Sequence, residues 1–237
     1  MMALIRQAAP LRVQAVNHIR SKIVSGDFPP RMRLIEKRLE EELGVSRTVV
    51  REALRQLESE RLVTMEANVG PIVSALSYDD VVHLYQVRAT LESAAGRLAA
   101  ESGTSVQIER IQAALAAIRT EAERVEIPML IELKNDFYTA LIDASGNPII
   151  GEMLSNVQAR ISQLRALTLH SEGRARHMVA ELTRVVDAIE QGDPDRAEEA
   201  CRAHVAVAEK IALRLAGALD EAESDLQNPI ESMGTAS

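Results

Sequence analysis

A chain of 237 residues can form two modest domains that each bury a core, and with 46% hydrophobic and 26% charged residues it lies within the globular range and outside the disordered one. The net charge of −8 argues against nucleic acid only as an average: residues 1–75 hold 12 Lys and Arg against 9 Asp and Glu, a net of +3, so the remainder carries −11 and only the first third suits phosphate. A single Cys201 excludes an internal disulfide and any CxxC site, and no apolar run approaches the roughly 18 residues of a membrane span, so the expectation is a cytoplasmic protein with neither leader nor membrane segment.

Aromatic residues are only 2% of the chain and Trp is absent, so the cores must be aliphatic, and the wealth of Ala, Leu, Glu and Arg places them on helices. Leu11, Val16, Ile19, Ile23 and Val24 recur at helical spacing, and Ser25-Gly26-Asp27-Phe28-Pro29-Pro30 ends that helix. Leu34 and Ile35 lead into a short helix through Leu39 and Leu43, closed by Gly44 where a positive φ is wanted, with Val45 packing the turn. Ser46 is an N-cap for the next helix, whose stripe of Val49, Val50, Ala53, Leu54 and Leu57 runs to about Glu60. Two short helices joined by Gly-Val-Ser form a helix-turn-helix pattern. Leu62–Met65 and Pro71–Val73, flanking Glu66 to Gly70, read as a small β-hairpin, a wing whose strands are too short to stand alone.

From Ser77, which with Asp80 can form a capping box, long helices are predicted at about 78–101, 105–125, 128–144, 148–169, 172–191 and 194–219. Gly103, Pro128, Gly146-Asn147-Pro148, Gly173 and Gly192-Asp193-Pro194 punctuate them. The expected fold is mostly α: a winged helix-turn-helix over 1–75, an all-α antiparallel bundle over 76–222, and a polar, disordered tail over 223–237.

Arg47, Thr48 and Arg51 stand at the start of the second helix of the turn motif, the part that enters the major groove in such readers. Arginine bonds bidentately to guanine O6 and N7, while Ser46, Thr48 and the first N–H groups of the helix can hold phosphates. Lys37 and Arg38 would reach the backbone or the groove edge. These residues could instead be ordinary solvated charges, but Arg47 and Arg51 lie one turn apart, opposite Val50, Leu54 and Leu57, and so project outward together.

The run Leu43-Gly44-Val45-Ser46-Arg47-Thr48-Val49-Val50-Arg51-Glu52-Ala53-Leu54-Arg55-Gln56-Leu57 resembles the signature of the GntR family. Upstream, Ile23-Val24-Ser25-Gly26 with Pro29-Pro30 and Leu34 resembles that family's first helix and turn, and Leu62-Val63 leads into its wing. Val49 stands where Pro is usual, and Arg31 and Arg61 where Gly is common; these departures should perturb local geometry without abolishing the fold. The resemblance implies a wing in the minor groove, and because Ala67, Asn68 and Val69 supply no basic tip, contacts there fall to Asn68 and to backbone, Gly70 included.

The second part is similar to the FCD domain of the FadR subfamily: Tyr85 to Glu92 resembles its opening helix, Phe137-Tyr138 through Gly146-Asn147-Pro148 its fourth-helix region, and Ala188 to Asp193 with Ala197 and His204 its end. Many members of that subfamily hold a divalent metal with one Asp and three His. The corresponding positions here are Lys134, Tyr138, Leu182 and His204, so three of the four ligands are absent and no metal is expected. Asp136 falls about 200° around the helix from Tyr138, and His170 and His177 flank a loop, so none substitutes.

Lys134, Tyr138 and His204 are nonetheless polar groups at pocket positions, although His204 reads equally well as a satisfied core histidine. Arg88 falls on an apolar stripe one turn before Glu92 and is either half of a buried ion pair or the partner of an effector carboxylate. Arg160 could join that set. A site of Arg88, Lys134, Tyr138, Arg160 and His204 would favour a small organic acid. The function expected is that of a homodimeric regulator, a repressor by preference, binding double-stranded operator DNA under effector control. An activator and a protein-binding scaffold are the alternatives, and the absence of a nucleophile–base pair or a phosphate loop argues against an enzyme.

Overall fold

The computed structural model describes residues 10–124, 126–155, 157–169, 171 and 173–227. They fall into two units, one comprising the described residues of Met1–Ala75 and Asn156–Gln163, the other those of Leu76–Ser155 and Leu164–Ser237.

In the first unit, helices α1 (Leu11–Ser25), α2 (Glu36–Leu43) and α3 (Arg47–Ser59) precede strands β1 (Val63–Glu66) and β2 (Gly70–Val73). The stripes of all three helices converge: Val16, Ile19 and Ile23 of α1 pack with Leu39 of α2, Val50, Leu54 and Leu57 of α3, and Leu62, Val63 and Val73 of the wing. Each such side chain contributes roughly 1.5–3 kcal/mol by leaving water. β1 and β2 pair antiparallel from Val63↔Val73 to Glu66↔Gly70. The segment 31–34 lies along the other edge of β2, with Arg31 N–H donating to Val73 O at 2.8 Å, Val73 N–H to Met32 O at 2.9 Å and Leu34 N–H to Pro71 O at 2.8 Å. This third rung ties the short hairpin to the start of α2.

α3 ends in a Schellman motif, Leu62 N–H donating to Leu57 O and Arg61 N–H to Glu58 O, both at 2.9 Å. Arg61 takes φ 59° to close it, and Arg31 takes φ 68°. The two arginines that replace the family's common glycines therefore keep a left-handed turn instead of abandoning it.

The second unit contains α4 (Tyr78–Ser102), α5 (Ser105–Glu121), α6 (Ile127–Ala144), α7 (Pro148–Ser155), α9 (Arg174–Glu190) and α10 (Pro194–Gln227); α8 (Gln158–Leu169) begins in the first unit and ends in the second. Capping boxes open α4, through Ser77 and Asp80, and α5, through Thr104 and Gln107. α4 is central, packing on α6, α9 and α10. It approaches α10 closely at Gly96, where a Cβ would lie 2.5 Å from Cys201 Sγ.

Three boundaries differ from the sequence reading by more than two residues. The single helix expected over 148–169 is two: α7 ends at Ser155, whose Oγ donates back to Glu152 O at 2.7 Å, and α8 begins at Gln158. α5 stops at Glu121 instead of 125. α10 continues past 219 to Gln227, because the good helix formers Ala, Leu and Glu carry it into the segment expected to fray; residues 228–237 of the polar tail lie outside the described residues.

Candidate DNA interface and effector site

Gly44 at φ 62° turns the chain between α2 and α3. Ser46 is the N-cap of α3, with φ −71° and ψ 156°, and its carbonyl accepts from Val50 N–H at 3.1 Å. Its hydroxyl makes no cap bond, so the first N–H groups of α3 remain open to an anion. Ser46, Thr48 and Lys37 are exposed, and the side chains of Arg47 and Arg51 are 64% and 54% exposed. Asn68 stands exposed at the wing tip with φ 64°, and Gly70 pairs with Glu66 at the hairpin's end.

One residue at this surface escaped the sequence reading. Glu36, the first residue of α2, accepts from Arg47 Nε at 3.0 Å and from Arg51 Nε at 2.9 and 3.1 Å. Burial works against its ionised form, but the hydrogen bonds from Arg51 and Arg47 outweigh that and hold its carboxyl below the usual range. Eleven and fifteen residues separate it from its partners, across a turn, and no helical spacing rule reaches that far.

Inside the helical unit, Arg88 and Glu92 form a buried ion pair, Nε to Oε1 at 2.9 Å and Nη2 to Oε2 at 3.2 Å. Nη2 also makes a long contact to Tyr138 OH at 3.4 Å, and the guanidinium lies 4.9 Å from the Tyr85 ring centroid. Burial disfavours the charge, but Glu92 and the two tyrosines more than compensate, so Arg88 stays protonated. Arg88 Nη1 is buried and has no hydrogen-bond partner among the described residues.

A second buried network lies beside Tyr138, whose ring is 6.4 Å from that of His204. Arg174 donates to Glu181 through Nη1 at 2.9 Å and Nη2 at 2.8 Å, and His204 Nδ1 lies 2.6 Å from Glu181 Oε2. Burial pushes Glu181 towards neutrality, yet the bonds from His204 and Arg174 win and bring its carboxyl down to about 2. Burial holds His204 down to about 4 against the pull of Glu181, with the nearby Lys134 and Arg174 cations adding to the depression. At neutral pH the ring is therefore uncharged, and because Glu181 only accepts, the ring proton sits on Nδ1 and Nε2 is an acceptor. Nε2 is buried without a hydrogen-bond partner among the described residues.

The rings of Tyr138 and His204 are 6.4 Å apart and border a cavity of about 10 Å³ with Glu92, Leu182 and Cys201, room for a single water. Burial raises the Cys201 thiol far above its ordinary value, with Glu92 and Glu198 adding to it, so it is inert.

The structure thus brings Arg88, Lys134, Tyr138 and His204 together within the helical unit, all buried. Arg160, half-buried, belongs to the segment that groups with the first unit. Asp136 and His177 are exposed, and His170 lies outside the described residues. The four positions implied for a metal carry a buried lysine, a tyrosine, a leucine and one histidine, a donor set that does not fit a divalent cation. Among the described residues no three His, Cys, Asp or Glu side chains gather to hold one.

A winged helix with an exposed arginine pair on its second turn-motif helix, carried with an all-α bundle that buries polar groups, defines a DNA-binding transcriptional regulator. Family models agree: residues 11–73 match "Bacterial regulatory proteins, gntR family" and residues 83–207 match the FCD domain. The chain belongs to the GntR family, in its FadR-like group with an FCD effector domain, and is an effector-controlled regulator and not an enzyme. The HTH-type transcriptional regulator LutR of Bacillus subtilis (strain 168) is 31% identical over 212 residues, 80% of this chain and 95% of that protein. The HTH-type transcriptional repressor RspR of Escherichia coli (strain K12) is 24% identical over 83% of this chain and 86% of its own. Among solved structures, E. coli McbR/YncC has the same fold, with a TM-score of 0.76, 23% identity and coverage of 88% of this chain and 99% of that one.

Proposed function

We propose that the protein is a homodimeric repressor of the cytoplasm that reads its operator with Arg47, Thr48 and Arg51, grips phosphates with Lys37, Ser46 and the start of α3, and touches the minor groove through Asn68 and Gly70. A two-fold dimer matches a palindromic operator. The name of RspR supports repression, and among the described residues no helix is long and apolar enough to cross a membrane.

The effector is a small carboxylate bound without metal. The observation that carries this is the pair of buried, unsatisfied atoms near Tyr138, Arg88 Nη1 as donor and His204 Nε2 as acceptor. Leaving such atoms unpaired costs roughly 1–3 kcal/mol each, and a ligand that satisfies both recovers it. A carboxylate facing Arg88 and Lys134, with a hydroxyl or N–H facing His204, meets that requirement. Because the cavity holds only about 10 Å³, such a ligand must spread α4, α6 and α10, so it binds an opened bundle selectively, and this preference is what can shift the DNA-binding equilibrium.

Calorimetric titration with a panel of small organic acids and their neutral amides tests the reading. Acids bind and amides do not, and Lys134→Ala weakens the acid at least 10-fold. Because Arg88→Ala strands Glu92, the double variant Arg88→Met/Glu92→Met is titrated beside it. Unchanged affinity in both Lys134→Ala and the double variant sinks the assignment.

A further inference from the structure

Glu36 is an acidic side chain placed where a phosphate-binding surface should least tolerate one. It is only 20% exposed and sits between two arginines that are mostly in solvent, accepting one Nε–H from each. The guanidinium fork can offer guanine either its side edge, Nε with Nη2, or its end, Nη1 with Nη2. A carboxylate on both Nε atoms closes the side edges and leaves the ends free: among the described residues the Nη groups of Arg47 and Arg51 have no hydrogen-bond partner. It also ties two long, exposed side chains from consecutive turns of α3 to one point on α2, so their spacing is set before DNA arrives. A negative charge here lowers the attraction to phosphate, which is sequence-blind, while sharpening the aim of the groups that read bases.

We propose that Glu36 is a specificity-determining positioning residue, which holds Arg47 and Arg51 by Nε so that both present their Nη ends to guanine in the major groove. This rests on the reading that those two arginines contact bases, and the experiment separates the two claims.

The full-length protein selects its preferred duplex from a randomised pool of about 30 base pairs, long enough for two half-sites a helical turn or two apart. Fluorescence anisotropy at one fixed salt concentration then compares that duplex with versions in which each G·C pair is changed singly to A·T, and with a scrambled duplex. Wild type, Glu36→Ala, Glu36→Gln, Arg47→Ala and Arg51→Ala are measured, with thermal melting as the folding control. In Glu36→Ala, discrimination at the guanines recognised by Arg47 and Arg51 falls at least 5-fold, other positions are unchanged, and affinity for the scrambled duplex rises. Glu36→Gln keeps an acceptor oxygen without the charge and restores part of the discrimination. Unaltered discrimination in Glu36→Ala overturns the proposal, as does a uniform loss across every position, which a merely structural role would give. If Arg47→Ala and Arg51→Ala themselves keep the wild-type preference, the arginines do not read bases and the proposal falls with that premise; if they lose it and Glu36→Ala does not, only the proposal falls.

Discussion

Arg31 and Arg61 carry ordinary side chains through φ values of 68° and 59°, a region where a Cβ costs roughly 1–2 kcal/mol. Glycine would remove that cost and return part of it as extra freedom in the unfolded chain. Arg61→Gly is therefore expected to raise stability by about 0.5–1 kcal/mol, read as an upward shift of the urea midpoint at constant slope. The buried His204–Glu181 pair makes a prediction about acid. His204 titrates near 4 in the folded protein and at its ordinary 6.5 when unfolded, so between those pH values the unfolded chain takes up a proton that the native state refuses. Stability falls as pH drops through that window, by on the order of 3 kcal/mol. Glu181, lowered from 4.5 to about 2, adds a loss in the same direction below pH 4.5. Melting temperatures of wild type and His204→Gln from pH 7 to 4 check this: the variant's profile should be flatter between 6.5 and 4. At this scale the sequence reveals outward-facing residues better than partners. Arg47 and Arg51 follow from helical phase, whereas Glu36 gains its meaning from a contact across a turn and Glu181 from its contact with His204 on another helix, which periodicity does not encode.

Helix starts were the most legible features because capping is local chemistry. Ser77 accepts from Asp80 N–H at 3.1 Å while the Asp80 carboxylate accepts from Ser77 N–H at 3.3 Å, and Ser77→Ala should lower the unfolding free energy by about 1 kcal/mol in chemical denaturation. Ends were harder. A helix whose hydrophobic phase continued ended at Ser155, and the pairing of 31–34 with β2 has no alternation to announce it. Packing between helices can be tested at Gly96, where an added methyl meets Cys201 Sγ at 2.5 Å. Gly96→Ala should cost about 1–3 kcal/mol. Adding Cys201→Ala should restore much of it, since the atom in the way is then gone. A double variant no more stable than Gly96→Ala would show that the α4–α10 contact is not what Gly96 protects.

Across the whole molecule, charge divides the labour. The first 75 residues carry a net +3 and the remainder −11, so only the winged helix is electrostatically suited to DNA, and binding should weaken steeply with salt as phosphate contacts release counterions. Fold class and the helix α3 were visible from spacing and from the family signature. The bundle's interior was visible only as a set of polar positions, because which of them satisfy one another depends on tertiary packing. The central claim is that two arginines at the start of α3 read the operator. Its most direct test is the affinity of wild type and Arg47→Ala/Arg51→Ala for the selected and the scrambled duplex between 50 and 200 mM salt, a range over which phosphate contacts lose roughly 10³–10⁵ in affinity. The account predicts that wild type prefers the selected duplex at every salt concentration and that the double variant, still folded, binds both duplexes equally and weakly. A double variant that keeps the wild-type preference would contradict it.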